Sequence, residues 1–132
     1  VAAYDSTAKV GGILHLMLPD SAMAPEKAAR QPAMFANTGL PLFFRALAGL
    51  NARRSHLRLF VGGGASVLRG PDSFQIGGRN VTATLSFLAD QGWRVRKSEL
   101  GGTTNRTLHL EVANGTVTLH TPSGNRQYSL AA

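Results

Sequence analysis

The chain has 132 residues, 43% hydrophobic and 16% charged, which suits one domain burying roughly two-thirds of its unfolded surface. Without cysteine it has no disulfide, thiolate metal site or cysteine nucleophile within these residues, and no apolar run approaches the about 18 residues of a membrane span. The net charge of +7, from 14 Lys and Arg against 7 Asp and Glu, favours nucleic acid, an anionic membrane face or an acidic protein surface, or serves solubility alone.

Val1 to Tyr4 reads as a short strand, and Val10 to Leu18 as a buried strand carrying Gly11-Gly12 where another backbone comes close. Pro19 to Pro32 reads as a surface loop. Asn37 or Thr38 is a candidate cap for a helix ending near Leu50, with Leu40, Phe43, Phe44 and Leu47 on its buried side and Pro41 in its first turn. Leu57 to Val61 is a strand that runs into Gly62-Gly63-Gly64. A second helix is expected from an Asn80 cap to Gln91, ended by Gly92, with Val81, Leu85 and Leu88 on one face. Trp93 to Lys97 reads as a strand. Leu108 to Val112 and Thr116 to His120 flank Asn114-Gly115, a hairpin signal because both turn positions tolerate positive φ. Gln127 to Leu130 adds a last strand. The sum is two helices and six or seven strands in a single α+β domain. No signal peptide is visible, and the chain starts without methionine. It is expected to be processed, truncated or partial, with chemistry upstream of Val1.

His15 stands among apolar neighbours in Gly11-Gly12-Ile13-Leu14-His15-Leu16-Met17-Leu18-Pro19. Histidine gives and takes a proton near neutral pH, so His15 is either a general base or a hydrogen-bonded core residue. No metal ligand stands at zinc spacing from it. His56, His109 and His120 are scattered singly and read as surface or packing residues. Gly62-Gly63-Gly64-Ala65-Ser66 and Gly77-Gly78-Arg79-Asn80 lack a phosphate-loop lysine and the dinucleotide fingerprint. They read better as tight turns in close approach than as phosphate sites. Gly101 to Arg106 either presents Arg106 to a partner or connects strands. Ser6, Ser21 and Ser66 lack a nucleophile elbow, and Asp5, Asp20 and Asp72 read as turn formers. Nucleic acid would need aromatics exposed on a basic sheet; packing accounts for Trp93, Phe60 and Phe87.

These pieces together resemble the CheD family, the chemoreceptor glutamine deamidases of bacterial chemotaxis. The matching elements are Tyr4-Asp5, His15 in G-G-I-L-H-L-M-L-P-D-S, Phe35-Ala36-Asn37-Thr38, Val61-Gly62-Gly63-Gly64-Ala65-Ser66, Ile76-Gly77-Gly78-Arg79-Asn80-Val81, and Gly101-Gly102 with Arg106. They span nearly the whole chain. The first motif and I-G-x-R-N are specific in combination. Asn37 stands where an acidic residue is common, and Phe35 where the family has tyrosine.

The resemblance implies a three-layer α/β/β sandwich with mixed sheets, like the deamidase toxins. It implies hydrolysis of receptor glutamine amides to glutamate, and methylesterase action in some lineages, by a cysteine that a histidine activates. His15 matches that histidine. By the family spacing the cysteine falls about three residues upstream of Val1, so the chain as given is expected to be inactive alone. Gly63, Gly64, Arg79, Asn80 and Arg106 are the candidate substrate or partner contacts. Chemoreceptor cytoplasmic helices and a CheC-type phosphatase are the implied partners, in the cytoplasm, with no cofactor, metal, nucleic acid or membrane insertion. The alternative is a non-catalytic CheD-like binding partner in chemotaxis signalling.

Overall fold

Strand β1 (Ala2–Asp5) organises the molecule, because all four of its side chains are buried. In the computed structural model, which describes residues 1–66 and 74–131, it lies between two antiparallel neighbours, β2 (Val10–Ile13) and β3 (Leu57–Gly63). β3 pairs in parallel with β4 (Val95–Leu100), giving a mixed sheet in the order β2-β1-β3-β4. Strands β5 (Thr107–Glu111), β6 (Thr116–Thr121) and β7 (Gly124–Ser129) form a second, antiparallel sheet.

Alternation along the central strands sorts the apolar residues into two cores. Ala3, Leu59 and Val61 meet Leu40, Phe43 and Leu47 of α2 (Ala36–Gly49) and Leu88 of α3 (Ile76–Asp90). Ala2, Tyr4 and Phe60 face the other way, onto Val117, Leu119 and Leu130. The layers are therefore helices, mixed sheet and antiparallel sheet, an α+β sandwich. Each fully buried Leu or Phe contributes about 2 kcal/mol by leaving water. Among the described residues, no helix is long and apolar enough to cross a membrane.

Helix α2 begins two residues before the expected Thr38, with Phe35 at its N-cap and no side-chain cap. Asn37 and Thr38 are engaged elsewhere. Asn37 Oδ1 accepts from Ser21 N–H at 2.9 Å and its Nδ2 donates to Ser21 Oγ at 2.8 Å, while Thr38 Oγ1 donates to Pro32 O at 2.6 Å. Pro41 consequently lies inside the helix rather than in its first turn. The stretch read as a loop from Pro19 to Pro32 is instead helical in part: a 3-10 turn over Ser21–Met23, helix α1 (Pro25–Arg30), then a 3-10 turn over Pro32–Met34. Pro25 and Pro32 each open a helical segment, where a missing N–H costs nothing.

Helix α3 starts at Ile76, so Gly77 and Gly78 belong to its first turn and Asn80 is no cap. β2 stops at Ile13, well short of Leu18. The extended residues beyond it are tied to the entry of α2, where Met17 and Leu18 N–H both donate to Met34 O, at 2.8 and 3.0 Å. β4 begins two residues later than Trp93, and β7 starts at Gly124. The β5–β6 hairpin turns over residues 112–115, a longer loop than a two-residue Asn-Gly turn; only Gly115 has positive φ, at +77°. Asp5 and Asp20 are turn formers as expected, accepting from Thr7 and Ala8 N–H and from Ala22 N–H respectively. Asp72 lies outside the described residues.

One ion pair ties the two sheets together. Glu99 on β4 takes a two-pronged contact from Arg126 on β7, Nη2 to Oε1 at 2.6 Å and Nε to Oε2 at 2.8 Å, and accepts from the Tyr128 hydroxyl. Arg126 and Tyr128 outweigh the burial that opposes them and hold the Glu99 carboxyl down at about 2. A carboxyl lowered on folding adds stability above its unfolded value, and that stability drains away as pH falls from there toward 2. Between pH 4.5 and 2 the wild-type melting temperature should therefore fall more steeply than that of Glu99→Gln. The difference corresponds to about 1–2 kcal/mol, discounted for solvent at the Arg126 end. Burial would raise the Asp5 carboxyl, but hydrogen bonds from Ala8, Arg53 and Thr7 N–H, with the His56 ring nearby, lower it. Asp5 titrates in both proteins, so its contribution cancels in the comparison. Parallel melting curves would show that the ion pair adds nothing.

Candidate functional site

The parallel strands β3 and β4 end on the same side of the mixed sheet, and a cleft opens there. β3 runs out through Gly63 and Gly64, with φ of +109° and +70°. A Cβ on Gly64 would strike Val81 of α3, and one on Gly77 would lie 2.5 Å from the Gly64 carbonyl oxygen. The first turn of α3 is thus seated directly on the outgoing glycine turn, which requires glycine on both sides. This is the close backbone approach expected of the two glycine clusters.

His15 stands at the mouth of this cleft and is exposed, so it is not a core histidine. The cause is pleat alternation past the end of β2, with Leu14 buried, His15 outward, Leu16 half-buried and Met17 outward. His15 lines two adjoining hollows. A small one of about 90 Å³ is shared with Gly62, Gly64, Asn80, Val81 and Thr84. A wider one of about 400 Å³ is shared with Gly62, Gly63, Gly64, Arg106 and Leu108. Val1 and Leu14 contribute to both, held together by Leu14 N–H donating to Val1 O at 2.8 Å.

Five of the six residues singled out in the sequence therefore converge: His15, Gly63, Gly64, Asn80 and Arg106. Arg79 does not. It points from the exposed side of α3 toward a separate hollow with Asp20 and Gln75, its Nη2 3.9 Å from Met23 Sδ. Arg106 is folded back, donating from Nη1 to Gly101 O at 2.8 Å, so its loop both connects the sheets and presents a cation to the cleft. Asn80 Nδ2 donates to Met17 O at 3.0 Å, and its Oδ1 is buried with no partner among the described residues. Thr84 is new to the site, and Val81, expected only as a packing residue of the helix and part of the family motif, also lines it. Asn80, Val81 and Thr84 occupy one face of α3 at helical spacing, a signal hidden while Asn80 was read as a cap.

The remaining histidines are not scattered. His109 and His120 meet edge-on across β5 and β6, ring centres 4.7 Å apart, and His56 Nδ1 lies 3.6 Å from Asp5 Oδ1. Among the described residues, no three His, Cys, Asp or Glu side chains gather as a metal site. Chemically, the cleft offers a solvent-reachable imidazole, a turn of bare backbone and an arginine. Ile13 and Met17 beside it are large exposed apolar groups.

Comparison with known proteins matches residues 17–121 to the family model "CheD chemotactic sensory transduction". The chain is 39% identical over 124 residues to "Probable chemoreceptor glutamine deamidase CheD 1" of Syntrophus aciditrophicus, covering 94% of this chain and 78% of that protein. It is 38% identical over 115 residues to a Solibacter usitatus protein named "Probable chemoreceptor glutamine deamidase CheD", covering 87% of this chain and 68% of the relative. A Methanococcus maripaludis protein of the same name is 33% identical over 124 residues, covering 93% and 79%.

Proposed function

The chain belongs to the CheD family, and from that premise we propose that it is the body of a protein-glutamine deamidase that converts receptor glutamines to glutamates in chemotaxis. The observation that carries the reading is the cleft in which exposed His15 faces the glycine turn of Gly62, Gly63 and Gly64. His15 serves as general base and acid. The nucleophile is a cysteine about three residues upstream of Val1, at the family spacing from His15.

The sheet register supports that position. Ala2 pairs with Ile13, and Val1 with Leu14 through hydrogen bonds of 2.8 Å in both directions. A ladder continued in this register would put the residue three before Val1 opposite Met17. It would share a face with His15 and stand diagonal to it, within reach of side-chain contact.

The reaction follows from those groups. The imidazole takes the thiol proton, and the thiolate attacks the glutamine amide carbon. N–H donors of the glycine turn are suited to the oxyanion that forms. The imidazolium returns its proton to the departing nitrogen, and ammonia leaves a thioester. Water, deprotonated by the same imidazole, attacks the thioester and releases glutamate and the thiol. Glutamine and water become glutamate and ammonia, with no redox step and no cofactor. A methyl ester can enter the same sequence with methanol leaving instead. Asn80 and Arg106 contact the substrate helix, and Ile13 and Met17 supply apolar seating for it. A CheC-type phosphatase is the second partner.

The test uses the gene product with its upstream residues and a receptor cytoplasmic fragment. Mass spectrometry should find gains of about 1 Da at defined glutamines, with matching ammonia release, and both should vanish on replacing the upstream cysteine by serine. Unchanged glutamines in the presence of a folded enzyme would instead support a non-catalytic binding role.

A further inference from the structure

Four of the chain's 14 basic side chains meet at the end of the mixed sheet opposite the His15 cleft. Where β3 and β4 begin, an open groove of about 950 Å³ is lined by Arg54, Arg58, Arg94 and Arg96 around Trp93. Leu59 pairs with Val95, so Arg58 on β3 and Arg94, the residue just before β4, lead into that pair on neighbouring segments. Like charges this close repel, and an anion between them removes that repulsion. Among the described residues, no carboxylate lines the groove. Among the described residues, Arg58, Arg94 and Arg96 take part in no ion pair or side-chain hydrogen bond, whereas Glu99 is held by Arg126 and Asp5 by backbone N–H groups.

The aromatic ring in the groove is closed to a nucleobase. Phe44 stacks on Trp93 at 4.1 Å and the Arg54 guanidinium lies 3.9 Å from its centre. Two groups that close cannot share one face, so both faces are occupied. Arg54 is also fixed by its hydrogen bond to Gln91 O. What the groove offers is guanidinium forks, whose geometry matches carboxylates two-pronged. β3 has seven residues, which at the strand rise separates the groove from the His15 cleft by roughly 20 Å.

We propose that this groove is a second binding surface, which docks an acidic, carboxylate-rich segment of a protein partner through Arg58, Arg94 and Arg96. It is independent of the chemistry at His15 and holds whether or not that site deamidates. Such a docking point, far from the cleft, adds affinity and steering without entering the reaction.

Trp93 is the chain's single tryptophan, so its fluorescence reports on this groove directly. A Glu-rich peptide of about ten residues, titrated into the folded protein, should change that fluorescence saturably. Affinity should fall about tenfold or more in the double variant Arg94→Glu/Arg96→Glu. It should stay within about twofold in Arg30→Glu/Arg45→Glu, which removes the same charge from exposed positions on α1 and α2. Arg94→Gln/Arg96→Gln, less disruptive to the strand, should show an intermediate loss with an unchanged circular dichroism spectrum. Equal weakening by both Glu doubles would mean diffuse net charge and overturn the proposal. So would an oligo-dT of equal charge binding tighter than the peptide with the same Arg94 and Arg96 dependence, or the absence of any saturable change.

Discussion

His15→Asn, in the gene product carrying its upstream residues, should lower glutamine deamidation by about two or more orders of magnitude, the usual loss when a general base is removed. The melting temperature should hardly move. His15 is exposed and accepts or donates no hydrogen bond among the described residues, so asparagine removes proton transfer without opening the core. In the proposed mechanism the thiol then loses its activating partner, so alkylation of the upstream cysteine by iodoacetamide at neutral pH should slow as well. That second readout separates a base from a residue that merely holds substrate, which would leave the thiol's reactivity untouched. A folded His15→Asn protein that deamidates at near the wild-type rate removes His15 from the mechanism.

Much of this cleft was legible in the chain because it is built from contiguous signals. The glycine turn after β3 and the histidine after β2 each announce themselves within a few residues. What was misread depended on partners far away in sequence. Asn80 has the chemistry of a cap, and two glycines before it argue against helix. Yet Gly77 is glycine because the Gly64 carbonyl leaves no space there for a Cβ, and the helix already begins upstream of it, at Ile76. Asn37 and Thr38 also resemble caps, but they are taken by Ser21 and Pro32. Between them, those bonds pin down the stretch that composition alone marked as loop. His15 was ambiguous for a different reason. Its neighbours are apolar in an unbroken run, and only the end of β2 at Ile13 decides that residues alternate in and out instead of being buried on both faces. The arginine groove left no sequence signature, because Arg58 and Arg94 come from segments on either side of α3 and meet only through the parallel pairing of β3 and β4.

Gly115→Ala should cost about 2–4 kcal/mol, and the reason lies in the junction between the two sheets. The loop 112–115 of the β5–β6 hairpin rests on the ring of Tyr4, which is fully buried in β1. A Cβ at Gly115 would lie 2.5 Å from both Cδ1 and Cε1 of that ring and 3.2 Å from the Ala131 backbone nitrogen. Tyr4 cannot yield, since Gly11 leaves it only glycine-sized space on its other edge, where an added Cβ would meet Cδ2 at 2.9 Å. Gly115 also has φ of +77°, which alanine adopts only under strain. Gly101 separates the two effects, because its φ of +75° is nearly the same while nothing lies within 4 Å of its Cβ position. Gly101→Ala should therefore lose only about 1 kcal/mol, the backbone part alone. For a domain of this size the Gly115 variant should melt roughly 10 °C lower and the Gly101 variant a few degrees lower. Adding Tyr4→Leu to Gly115→Ala should recover part of the loss, so that the double variant is more stable than the sum of the singles. Equal melting temperatures for the Gly115 and Gly101 variants would mean that the hairpin loop can move off Tyr4. The antiparallel sheet would then be held to the mixed sheet by its apolar face and the Glu99–Arg126 pair, without the hairpin contact.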